Sequence, residues 1–100
     1  MRNYKEDYCC DMRGMLSFLI LFLVSKKPMN GTEIADEMEK RKGSKPSPGT
    51  IYPALKSLKE AELIKEKRSG KKISYTITKS GQKVMKISRI QFCKTFKDVF

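Results

Sequence analysis

The sequence holds no histidine, no tryptophan, three cysteines in 100 residues, and half as many acidic as basic side chains. Without histidine the chain lacks the side chain best suited to general acid–base work near neutral pH. Cys9, Cys10 and Cys93 have no imidazole to activate them, and no pair of carboxylates follows a cleft-forming pattern. Nucleophilic and acid–base catalysis are therefore disfavoured, and the chain reads as a non-enzyme with no cofactor. A metal site would need carboxylates and thiols alone, and none is expected. An odd cysteine count with an adjacent pair is not a disulfide framework. Cys9–Cys10 are read either as a vicinal thiol sensor or as ordinary reduced cysteines of a reducing compartment.

Long apolar runs are missing too. The longest covers residues 18–24, inside a stretch from 15 to 24 that only Ser17 interrupts. A bilayer span needs about 20 apolar residues. Glu6, Asp7 and Asp11 argue against the positively charged start of a secretory leader, and SKKPMN offers no small-residue cleavage site. The reading is a cytoplasmic protein that does not span a membrane.

What the chain has in excess is positive charge. Lysine and arginine number 22 against 11 acidic residues, giving net charge +11. Such an imbalance points to a polyanionic partner, either nucleic acid or an anionic membrane surface. The length suits one domain with a modest core, and a chain this small often gains stability from a partner subunit.

Periodicity gives the elements. GMLSFLILFLVSKKP reads as a first helix ended by Pro28, apolar on nearly every side, and therefore buried on most faces. Part of it is expected to meet a second subunit; the alternative is the core of one subunit. NGTEIADEMEKRKG reads as a second helix, with Asn30 and Glu33 spaced for a capping box and Gly43 as its stop. In SPGTIYPALKSL, Ile51, Leu55 and Leu58 recur at helical spacing despite two prolines. Ser47 suits the N-cap and Pro48 the first helical position. Pro53 frees the Gly49 carbonyl and predicts a bent, locally distorted first turn. Two alternating runs around Ser69–Gly70 read as a hairpin. From Thr78 or Ser80 the remainder is helical, with Met85, Phe92, Phe96 and Val99 near one face.

Helix, helix, helix, hairpin, helix is the order of a winged helix-turn-helix, a mostly α (α+β) fold with a two-stranded wing and a C-terminal dimerisation helix. Residues 1–79 form the DNA-binding domain and 80–100 the dimerisation helix of the same structural unit. In this fold the third helix enters a major groove and the wing approaches the neighbouring backbone. Between residues 47 and 89 stand eleven basic side chains against Glu60, Glu62 and Glu66, so this half carries most of the excess charge.

KPMNGTEIADEM, followed by SPGTIYPALKSLKEAELI, a basic wing and YTITKSG, resembles the PadR-like family of transcriptional regulators. The resemblance runs over roughly residues 14–83 and is most specific at 47–58. It implies a dimeric repressor whose third helix and wing bind a double-stranded DNA operator and whose last helix pairs with another subunit. It also implies a small aromatic or drug-like effector. The family pattern PMHGYE is altered here at Asn30 and Thr32, lysines replace the common arginines of the wing, and the absent tryptophan removes one stacking platform for flat ligands.

Candidate roles follow from side-chain chemistry. Ser47, Gly49 and Thr50, at the open end of the third helix, are assigned to phosphate or to placing the helix end. Tyr52 is assigned a phosphate hydrogen bond, the alternative being a partly buried core tyrosine. Lys56 reaches phosphate or a guanine edge, and Arg68, Lys71 and Lys72 reach the backbone or minor groove from the wing. Leu16, Leu19, Leu23, Met85, Phe92, Phe96 and Val99 are assigned to the homodimer. Three classes of function remain open: a sequence-specific regulator, an architectural binder indifferent to sequence, and a winged helix that binds protein.

Overall fold

The computed structural model describes residues 12–99; the Cys9–Cys10 pair and Glu6, Asp7 and Asp11 lie outside that range. Its elements are α1 (Met12–Lys26), α2 (Gly31–Lys42), α3 (Pro48–Glu60), β1 (Ile64–Ser69), β2 (Lys72–Ile77) and α4 (Lys79–Thr95). The order is that of a winged helix: four helices and a two-stranded antiparallel wing.

α1 is the hub. It touches α2, α3, β2 and α4, which explains a helix apolar on almost every side. Leu16, Ile20, Leu21, Leu23 and Val24 are buried, while Leu19 and Phe22 pack partly exposed against the same core. Leu16 and Leu23, assigned to a subunit contact from surplus hydrophobicity, thus lie in the core of this one chain, 9% and 3% exposed. Four neighbouring elements supply the cover that the sequence was expected to find in a partner.

α2 begins as its sequence dictates. The Glu33 amide donates to Asn30 Oδ1 at 2.8 Å, and the Asn30 amide to Glu33 Oε1 at 3.0 Å, a reciprocal capping box. Gly43 ends the helix at φ 82°, and its amide donates to the Glu39 carbonyl. Ile34, Ala35 and Met38 face the core.

α3 carries Pro53 inside it and runs uninterrupted from Pro48 to Glu60, so the expected distortion does not break the helix. The amide bond forfeited is the one to the Gly49 carbonyl, in the first turn and a half. Burial of Ile51, Leu55 and Leu58, each 1% exposed, holds the remainder in place.

The wing pairs Ile64 with Ile77, Glu66 with Tyr75 and Arg68 with Ile73 on one face, and Lys65 with Thr76, Lys67 with Ser74 and Ser69 with Lys72 on the other. Its two-residue loop is Gly70–Lys71. Only Gly70 takes a positive φ, 63°, the pattern of a type II′ turn matched to strand twist. Met29, just before α2, joins the sheet: its amide donates to the Tyr75 carbonyl and the Tyr75 amide returns the bond to Met29. The wing is thereby tied to the entrance of α2.

α4 starts at Thr78, whose hydroxyl accepts from the Gly81 amide at 3.0 Å and donates to the Glu62 carbonyl at 2.7 Å. Gly81 is buried against the Leu63 carbonyl, where any Cβ would collide with backbone. The helix ends at Thr95, short of the chain end that periodicity suggested. Phe96 caps it and Asp98 turns to a left-handed φ of 68°.

Candidate nucleic-acid interface

At 100° per residue, burying Ile51, Leu55 and Leu58 turns Gly49, Pro53, Lys56 and Glu60 directly away from the core. Thr50 and Ser57 flank this row on one side, Tyr52 and Lys59 on the other, and all are exposed. The helix start remains open. Ser47 has the extended conformation of an N-cap, yet its hydroxyl makes no bond to a helix amide and lies 3.2 Å from Thr50 Oγ1. The Thr50 and Ile51 amides both use the Ser47 carbonyl, at 2.9 and 3.0 Å. Of the first-turn amides, that of Gly49 is the one with no protein acceptor among the described residues. An unpaired amide at the positive end of a helix, beside two hydroxyls and no carboxylate in the first turn, favours an anion.

Tyr52 is 51% exposed. Its ring rests on Gly31, where a Cβ would come within 2.9 Å of the phenol oxygen. One side of Tyr52 thus packs on the start of α2, and the other is exposed. Tyr75 lies nearby on the wing. Partial burial raises its phenol above the ordinary value, and the neighbouring Glu66 carboxylate and Tyr52 add to the shift.

The wing places Arg68, Lys71 and Lys72 together at its exposed tip, with Arg68 and Lys72 on opposite faces and Lys71 in the turn between them. Lys65 and Lys67 extend the charge along one face. Beside the packing of β1 on α3, a side-chain ion pair links the wing to this helix. Lys59 Nζ donates to Glu66 Oε1 at 2.9 Å, and that bond holds the Glu66 carboxyl below the usual carboxylate range. Neither residue was singled out from sequence as a site. The alternation of Ile64, Glu66 and Arg68 already set Glu66 on the inward face, but the reach of Lys59 across to it is a tertiary fact.

The residues assigned to the dimer separate into two groups. Met85 is partly buried against the core, whereas Phe92, Phe96 and Val99 are exposed. The Phe92 and Phe96 rings lie 4.7 Å apart, tilted by 43°, past the end of that core. Ile87 and Ile90 are exposed on the opposite side of α4.

An open helix N-terminus, an exposed outward row on α3 and a basic wing tip are set on the frame of a winged helix. The profile of the transcriptional regulator PadR-like family matches residues 20–87, and the chain belongs to that family. It is therefore a DNA-binding transcriptional regulator and not an enzyme. Solved structures agree. A PadR-like transcriptional regulator from Bacillus cereus is 26% identical with TM-score 0.79, covering 88% of this chain and 90% of its own. A PadR family regulator from Clostridium difficile is 28% identical with TM-score 0.72, covering 86% and 94%. A transcriptional regulator from Thermoplasma acidophilum is 28% identical with TM-score 0.74, covering 87% and 90%. No curated protein matches the chain. Among the described residues no helix is long and apolar enough to cross a membrane.

Proposed function

We propose that the chain acts as a dimeric repressor on a near-palindromic operator. The observation that carries this reading is the exposure of Lys56 on the outward row of α3, opposite its buried row, together with the exposed Arg68, Lys71 and Lys72 at the wing tip. α3 lies in a major groove, with the Gly49 amide, Ser47, Thr50 and Tyr52 on phosphate and Lys56 at a base edge or phosphate. The wing tip reaches the adjoining backbone or minor groove. Phosphate contacts fix the register and α3 reads the bases.

The dimer is supported by Phe92, Phe96 and Val99, apolar side chains left exposed among the described residues on and just past the helix that carries the half-buried Met85. Two such protomers present two recognition helices, so the site has two half-sites related by a two-fold axis. For the effector that the resemblance implies, the candidate seat is a cleft of about 260 Å³ beside α1 and α2, lined by Phe22, Leu23 and Met29 together with Lys26, Lys27, Glu37 and Arg41. Met29 couples that cleft to the wing through its backbone bonds to Tyr75.

Selection from a random duplex library tests the reading. The expected product is an inverted repeat with half-sites about 10 base pairs apart, centre to centre, or a multiple of that. A library that yields no motif would return the protein to the architectural class.

A further inference from the structure

We infer that Glu66 is a specificity-determining residue: by holding Lys59 between α3 and the wing, it withholds a cation from DNA phosphates and limits binding to arbitrary duplex. This inference rests on the DNA-docking mode proposed above.

Glu66 is the lone carboxylate on a wing that otherwise carries Lys65, Lys67, Arg68, Lys71 and Lys72. It sits on the inward face, opposite Tyr75, and its Oε1 accepts from Lys59 Nζ at 2.9 Å. Lys59 shares the wing-side flank of α3 with Tyr52, seven residues before it. The backbone between a major groove filled by α3 and an adjacent groove touched by the wing passes this gap. A carboxylate there repels phosphate and at the same time occupies the cation best placed to attract it.

An uncompensated lysine would serve that strand better if affinity were the only requirement. Arbitrary DNA is held almost wholly by phosphate contacts, so one cation fewer weakens it in full. Operator DNA is also held by base contacts, which fix the register and leave less to gain from a further cation. Repulsion built against the wrong partner is a general route to specificity.

The test uses the full chain and two duplexes, a selected operator and a scramble of it, across a salt series. Glu66→Gln keeps the shape and removes the charge. It is expected to tighten the scramble about three- to tenfold at low salt and to steepen its log–log salt slope by roughly one phosphate contact, about 0.9. Operator affinity should rise less than the scramble's, so that the ratio between them falls. Lys59→Met added to Glu66→Gln should restore the original slope. Glu39→Gln, an exposed carboxylate on α2 that makes no ion pair among the described residues, controls for bulk charge and should leave the slope unchanged. Weaker binding to both duplexes by Glu66→Gln, no change in slope, or the same change from Glu39→Gln would overturn the inference. A wild-type protein with no preferred duplex would instead contradict the operator reading, while the slope on arbitrary DNA would still report on Lys59.

Discussion

At the scale of single residues, the tightest constraint lies away from the DNA face. Gly81 lies against the Leu63 carbonyl at the junction of wing and α4, and the atom that a Cβ would meet is backbone, which cannot swing aside. Gly81→Ala is expected to cost about 2 kcal/mol or more, as over-packing does. For a chain of this size that lowers Tm by roughly 10 °C, measurable by thermal unfolding. Gly49→Ala makes the contrast: a Cβ there would meet only the Ser47 hydroxyl, at 3.7 Å, so the same measurement should show little change in Tm. The charged pair Lys59–Glu66 works on a different quantity. Glu66 titrates below the ordinary 4.5 because Lys59 donates to it, so the pair persists above that value and is lost as pH falls through the lower folded value.

Among the elements, the wing is where affinity and specificity separate. Replacing Lys71 and Lys72 with alanine should weaken operator and scrambled duplex by similar factors and make both salt slopes shallower by up to about two contacts. Unchanged affinity at moderate salt would remove the wing tip from the interface. The elements themselves were largely legible in the sequence, because each has a local cause. Asn30 and Glu33 write the start of α2, Gly43 its end, and the alternation of Ile73, Tyr75 and Ile77 after Ser69–Gly70 writes the hairpin. What local pattern could not supply was the partner of each face. α1 looked oversupplied with apolar residues, since no single helix period shows that four elements converge on it. Pro53 looked disruptive because its cost is local, whereas the burial that outweighs it is tertiary. The Met29–Tyr75 bridge and the Lys59–Glu66 bond join residues 46 and 7 positions apart, beyond any single element's periodicity.

For the whole molecule, charge and apolar surface divide the labour. The basic half of the chain, from α3 through the wing, faces outward, and the exposed phenylalanines gather at the far end of α4. Apolar groups left uncovered at one end of a small domain mark a partner surface. Phe92→Ser with Phe96→Ser should give a monomer by sedimentation velocity without unfolding the winged helix, since neither ring belongs to the core cluster. An unchanged mass would move the dimer contact elsewhere. The loss of one protomer should also lower operator affinity far more than scramble affinity, because only the operator rewards two correctly spaced recognition helices.

The central claim is that this surface reads sequence as well as phosphate. Fluorescence anisotropy of the wild-type chain with a selected operator and its scramble, at physiological salt, measures that directly. The account predicts a preference of about a thousandfold or more, the range of specific DNA binding. Equal affinity for the two duplexes, with the same salt slope, would contradict it.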